Sequence, residues 1–414
     1  MSRRVQIQAP HFSQQILEFD PVGNILSMRL QQDISTYTYD DLYQLTEETG
    51  LFAHHYTYDS MKNRLSKDEE NYEINALNQL ISHLSYNKNG CPTSLGTTKY
   101  IYDAFDRLIA IITPNMVQRF GYDSLHRCLF KRTVRSNTQQ TLYFLYDGQK
   151  EIGSFDPTLA IQELRILGAT PEAERGAAIA VELKEKIFAP LHDLQGNLTA
   201  LIPLDGTKPS FYRFSAFGEE KIYGYTLSPW RFSSKRSDAE TNLVYYGRRF
   251  YMPLLGRWLT PDPAGFTDGM NLYNFLQNQP LIHFDEYGLW LQPRPPGTFN
   301  SSNIRQNWNY QMNQFSTGFN QGVLNAGFGL ARLANTMTHG MNAIDPFRAY
   351  NWKDGSFHFS MGDSYHSLNN WLKQKQSIIN NQLFPGGNSD RLAFKLGHFA
   401  GNFLGDTAVF GGMG

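Results

Sequence analysis

The sequence predicts a mainly β protein, a ribbon of β-hairpins over about two-thirds of the chain, followed by a smaller, mainly α C-terminal region. Three observations predict it. An aromatic-x-aromatic-Asp unit recurs between residues 20 and 147. Aromatic residues make up 14% of the chain, with 23 Tyr and 29 Phe, which favours strands and supplies core material. Composition changes abruptly near Trp290, and apolar residues then fall at helical spacing.

The repeat is read from YTYDDLYQLTEE at Tyr37, YTYDSMKNRLSK at Tyr56, YIYDAFDRLIAI at Tyr100, FGYDSLHRCLFK at Phe120 and FLYDGQKEIGSF at Phe144. FDPVGNILSM puts Asp20 in the same register. YEINALNQLI and YNKNGCPTSL fill the double gap between Asp59 and Asp103 with degenerate copies. Aromatic alternation marks a strand with one buried face. Asp then starts a turn, because its carboxylate can accept backbone amides two residues on. Turns are therefore expected at Asp20, Asp40, Asp59, Asp103, Asp123, Asp147 and Asp193. One hairpin is marginal in water, so successive hairpins are expected to pair into a continuous sheet.

The strand pattern continues from Ile152 to Ile202, with Ala180–Leu183 and Ile187–Phe188 around a Lys-Glu-Lys turn. A helix competes with strand over 171–186. Beyond Leu291 there is no Glu, and nine Lys and Arg stand against five Asp. LQPRPPGTFNSSN reads as a linker. The apolar spacing of Met312, Phe315, Phe319 and Val323 then predicts helices. Gly397, Gly401 and Gly405 make a small-residue ridge for close helix packing.

A net charge of −1 argues against a general nucleic-acid or anionic-membrane binder. Two cysteines, Cys91 and Cys128, exclude a disulfide framework and a Cys-rich zinc site. His54-His55 reads as exposed surface, and the spacing of His358, Asp363 and His366 fits no metal motif, so no metal or cofactor is expected. No apolar run has the length of a signal peptide or of a spanning helix. The chain is expected to be cytoplasmic, or exported by a route that needs no cleavable signal.

The segment SPWRFSSKRSDAETNLVYYGRRFYMPLLGRWLTPDPAGFTDGMNLYNFLQNQP, with the closing DEYGL, resembles the RHS repeat-associated core, and the upstream copies resemble the YD repeats of the same bacterial family. The resemblance covers about Phe19 to Leu289. It divides the chain into repeats (1–168), core (169–289), linker (290–302) and a variable C-terminal module (303–414). It implies a ribbon that spirals into a shell around a C-terminal effector, usually a toxin. It also implies an immunity protein and secretion machinery as partners. With repeats starting almost at Met1, the shell is expected to be small or open, or completed elsewhere. Two other readings stand beside it: a non-catalytic surface protein contacting carbohydrate or protein, and a remnant without a working effector.

The resemblance further implies an aspartyl autoprotease that cuts after the D-x-x-GL turn. Asp262 in PDPAG and Asp285 in DEYGL match the family's two aspartates, 23 residues apart. The expected cleavage lies between Leu289 and Trp290. Two carboxylates sharing one proton provide an acid and a base together, the base activating water and the acid protonating the departing amide. Gly288, lacking Cβ, lets the backbone approach closely. Arg257 in GRW is a candidate for stabilising a carboxylate, with a structural salt bridge as the alternative. Glu286 replaces the proline common in the family, adding a carboxylate and removing a fixed φ.

Overall fold

The computed structural model describes residues 6–9, 12–168, 178–225 and 227–293, with two short paired strands at Tyr350–Asn351 and Ser356–Phe357. The helices expected over 303–414, and His358, Asp363 and His366, lie outside the described residues. Within them the chain is mainly β, as the repeat predicts. Eight antiparallel strands, from Gln6–Ala9 to Glu70–Asn71, form one sheet, and fourteen, from Leu84–Tyr86 to Glu220–Tyr223, form a second. Each strand pairs with its neighbours in sequence. The contested segment is strand where it is described, at Ala178–Leu183, and turns at Lys184 and Glu185 with positive φ.

One turn geometry recurs. The Oδ1 of Asp40 accepts the amides of Leu42 and Gln44 at 2.9 and 2.8 Å. Its Oδ2 accepts the Gln44 side-chain amide at 2.7 Å. The same pattern holds at Asp59, with Met61 and Asn63, and at Asp193, with Gln195 and Asn197. At Asp103 and Asp123 the Oδ2 partner is the guanidinium of Arg107 or Arg127. Asp20 uses Gly23 and Asn24. The degenerate copies keep the turn with Asn75 and Asn87.

Asp147 differs from expectation. It ends the strand Thr138–Asp147 and pairs with Lys150 around Gly148-Gln149. Asp-Gly followed by a strand closes a tight hairpin through the backbone, with Gly148 at φ 59°, and needs no carboxylate cap. The carboxylate turn falls instead at Asp156, which accepts the amides of Thr158 and Ala160.

The aromatic face of each repeat is buried, through Tyr37, Tyr56, Tyr100, Phe120 and Phe144. The tyrosine before the Asp also ties one repeat to the previous one. Tyr39, Tyr58, Tyr122 and Tyr146 donate their hydroxyls to the carbonyls of Ile25, Leu45, Leu108 and Cys128. A register shift sits beside each of these tyrosines, as at Thr38/Tyr39, Thr57/Tyr58 and Gly121/Tyr122. Bulges bend a strand and increase its twist, so one per repeat coils the ribbon.

The coil brings the ribbon back onto itself. Gln14 accepts the Leu194 amide at 2.7 Å, and Glu48 accepts the amide of Ala216 at 2.8 Å. Lys67 and His54 meet Glu219, and Arg213 meets Asp33. His54 is thus partly covered and paired rather than freely exposed, whereas His55 is exposed.

Residues 230–293 pack against the two sheets. A four-stranded sheet (Arg236–Ser237, Val244–Tyr245, Phe250–Met252, Arg257–Trp258) is followed by the hairpin His283–Asp285/Leu291–Pro293. One core joins Tyr37, Leu45 and Tyr56 of the first sheet to Tyr246, Tyr251 and Phe275. A second joins Tyr100, Phe120 and Phe144 of the other sheet to Phe250 and Met252. Tyr251 stacks on Phe275 at 3.8 Å between ring centres, with Trp258 edge-on to Phe275. Cys91 and Cys128 are buried free thiols whose pKa values burial raises.

Candidate active site

Asp285 is built from the repeat turn. Its Oδ1 accepts the amides of Tyr287, Gly288 and Leu289 at 3.1, 2.7 and 3.1 Å. The residue four positions on is Leu289, whose side chain cannot donate a hydrogen bond, so Oδ2 has no side-chain partner within its own turn. Asp262 repeats the arrangement. Its Oδ1 accepts the Ala264 amide at 2.8 Å, and Phe266 stands where a repeat has Asn, Gln or Arg. Both freed oxygens meet one guanidinium nitrogen. Arg249 Nη2 lies 2.7 Å from Asp262 Oδ2 and 3.6 Å from Asp285 Oδ2, and all three side chains are almost fully buried. The two aspartates expected from sequence are therefore brought to one point, by the D-x-x-G turns and by Arg249.

Arg249 and Asp268 were not legible as site residues. Arg249 sits in the short turn after Val244–Tyr245, inside the YYGRRFY motif. Its Nε donates to the Gly288 carbonyl at 2.6 Å, and its face lies 4.2 Å from the Trp258 ring centre. Asp268 Oδ2 accepts the Leu291 amide at 2.5 Å. The Leu289–Trp290 bond thus lies in a loop held before it by Arg249 and Asp285 and after it by Asp268. Asp285 and Leu291 are register partners at the base of that hairpin. Trp290 is half exposed. Gly288 takes φ 74°, and a Cβ there would press on the Arg249 backbone at 3.3 Å.

Arg257 lies elsewhere. Its guanidinium donates to the Asn78 carbonyl at 2.7 Å and stacks on Tyr273. Neither the carboxylate role nor the salt bridge considered for it is what its contacts show; Arg249 is the cation beside the carboxylates. The third carboxylate at the cavity is likewise Asp268 rather than Glu286. The cavity, about 240 Å³, is lined by Arg249, Trp258, Asp262, Asp268, Asp285 and Leu291 among others.

Burial raises the pKa of Asp262 to about 6, with Asp285 and Asp268 adding to the rise and Arg249 and the Ala264 amide opposing it. Burial also raises Asp285, against Arg249 and the three turn amides. Three carboxylates facing one guanidinium favour uptake of a proton, which is the charge state an acid-base carboxylate pair requires. Among the described residues no group of His, Cys, Asp and Glu is arranged to hold a metal ion.

A family model for the Teneurin YD-shell matches residues 1–282. The chain belongs to this family. Toxin subunit YenC1 of Yersinia entomophaga is 42% identical over 87 residues, 21% of this chain and 8% of that protein. The tRNA3(Ser)-specific nuclease WapA of Bacillus spizizenii is 28% identical over 279 residues, 61% of this chain and 12% of its own length. The YD-shell chain described here therefore spans only a small part of these curated relatives. A crystal structure of TcdB2-TccC3 matches with a TM-score of 0.57 at 23% identity, covering 67% of this chain and 17% of that one, and shares its β-shell fold. The chain is thus a YD-repeat shell similar to segments of proteins named as toxins.

Proposed function

We propose that this YD-shell chain is an intramolecular aspartyl protease that hydrolyses its own Leu289–Trp290 bond and so separates the C-terminal segment, a toxin effector, from the shell. The observation that carries the reading is the convergence of Asp262 Oδ2 and Asp285 Oδ2 on Arg249, beside a loop that holds that bond. In the reaction one carboxylate takes a proton from water as its oxygen adds to the Leu289 carbonyl carbon. The protonated partner gives its proton to the Trp290 nitrogen as the C–N bond breaks, leaving a Leu289 carboxyl group and a Trp290 amine. Arg249 holds the Gly288 carbonyl and orients both carboxylates. The toxin names of the relatives support delivery outside the producing cell, together with other toxin components or secretion machinery.

Intact-mass measurement of the purified full chain tests this. Wild type is expected as two masses divided at Leu289–Trp290. Asp262→Asn and Asp285→Asn, which keep an acceptor oxygen for each turn, are expected to remain single chains. An uncut wild type under folding conditions, or Asn variants cut at the wild-type rate, would leave the aspartates as turn residues only.

A further inference from the structure

Two buried arginines meet where the ribbon joins the core segment, and neither has a carboxylate partner among the described residues. Arg64 follows the Asp59 turn of the ribbon. Its guanidinium lies between the rings of Tyr56 and Phe217, 4.4 and 4.0 Å from their centres. Its edge is closed by Gly256, where a Cβ would collide with it. The side chain is buried, and none of its three nitrogens donates to a carboxylate or a carbonyl among the described residues. The Tyr58 hydroxyl lies beside it as a neutral hydrogen-bond neighbour, but it donates its own proton to the Leu45 carbonyl and supplies no negative charge. Arg257, from the core segment, is also buried and has an unpartnered Nε. Both side chains line one small cavity, about 20 Å³, together with Asn63, Asn271 and Asn274.

Several other buried cations among the described residues are neutralised. Arg236 has Glu151 and Glu163, Lys131 has Asp238 and Glu240, and Arg249 has Asp262 and Asp285. An isolated buried charge costs several kcal/mol unless it is paired, and two of like sign on one cavity add mutual repulsion. Burying the flat faces of the guanidinium against rings recovers part of that cost but leaves its in-plane N–H donors without a charged acceptor. We propose that this cavity binds one monatomic anion of the halide class, chloride in the natural setting, which bridges Arg64 of the ribbon to Arg257 of the core segment. The size limits the ligand. A cavity of about one probe sphere holds a water-sized species, whereas sulfate or phosphate would not enter without displacing the flanking side chains.

The test is thermal unfolding of the full chain at constant ionic strength, with sodium chloride or sodium bromide replacing sodium gluconate. Binding to the folded state alone raises the melting temperature with ligand concentration. A rise of several degrees is expected, with most of it reached at millimolar halide, below the range of general salt effects. Arg64→Met, which keeps the stem and removes the donors, is expected to lose that dependence. Because Arg64→Met can prevent folding, bromide anomalous scattering from wild-type crystals gives a second reading, with one peak expected between the two guanidinium groups. Equal melting temperatures in halide and gluconate, or bromide crystals without a peak in this cavity, overturn the proposal and leave water as its occupant.

Discussion

At the scale of single residues, the site differs from the scaffold by what stands four positions after the aspartate. In the ribbon, Asn, Gln or Arg there consumes Oδ2, as at Asp40, Asp59 and Asp103. At Asp262 and Asp285 the position holds Phe266 and Leu289, and Oδ2 reaches Arg249 instead. Asp262 then titrates in an accessible range. The folded-state pKa of Asp262 is raised to about 6, so the folded protein holds this proton more tightly than the unfolded chain does. The stability this group contributes is present below the ordinary aspartate pKa of about 3.9 and is lost as pH rises through about 6. If that proton is the one passed to the Trp290 nitrogen, the first-order cleavage rate should fall by about tenfold per pH unit above about pH 7. Stopped time courses between pH 5 and 8 measure it; a flat profile would remove Asp262 from the acid-base role. Asp262, Asp285 and Gly288 were legible in the sequence because PDPAG and DEYGL resemble the family's two aspartate motifs, whose D-x-x-G turns are local. Arg249 was not, because which arginine of YYGRRFY and GRW faces the carboxylates depends on how the core sheet packs. Arg257 shows the consequence: equally plausible as a string, it is turned toward Asn78 and Tyr273.

At the scale of elements, the ribbon is a hairpin series in which the turn carboxylate, the bulge and the tyrosine hydroxyl act on the same few residues. Sequence exposes the first of these because Asx turns have a local signature, and it exposes even the Asn75 and Asn87 copies. It places the turn at Asp147 but not its kind, since an Asp-Gly hairpin closes there without a carboxylate cap, and it passes over Asp156. The hydroxyl tie is hidden, since its acceptor is a backbone carbonyl one repeat back. It makes Tyr39, Tyr58, Tyr122 and Tyr146 more than packing groups, whereas the Tyr102 hydroxyl makes no such bond. Tyr122→Phe keeps the ring but leaves the Leu108 carbonyl without its 2.7 Å partner. A loss of about 1–2 kcal/mol is expected, since a buried acceptor left unpaired costs about that much. Urea unfolding should show a lower midpoint with an unchanged slope. An unchanged midpoint would mean that the ring alone holds the repeats together.

At the scale of the whole molecule, the ribbon and core make one another's cores, and the loop that holds Leu289 and Trp290 depends on both. Tyr56 and Phe217 of the ribbon pack with Tyr251, Trp258 and Phe275 of the core segment, and Arg249 lies on Trp258. Asn271, Asn274 and Asn278, between the two aspartates, bond the ribbon at Met61, Asn63 and Lys62. This interlocking was not legible from repeats, because periodicity specifies a strand's buried face and not what covers it. It also sets the kinetics. A bond held against its catalytic groups within one fold gains an effective molarity on the order of 10⁵ M or more, so cleavage should be first order. After refolding is started by dilution from urea, the half-time for cutting at Leu289–Trp290 should be the same across a hundredfold range of protein concentration. In increasing urea, cleavage should stop where the aromatic core unfolds, as read by Trp fluorescence. Rates that rise with protein concentration, or cutting that persists in fully unfolded chains, would instead point to cleavage between molecules or by a contaminating protease, and would separate the buried carboxylates from the reaction.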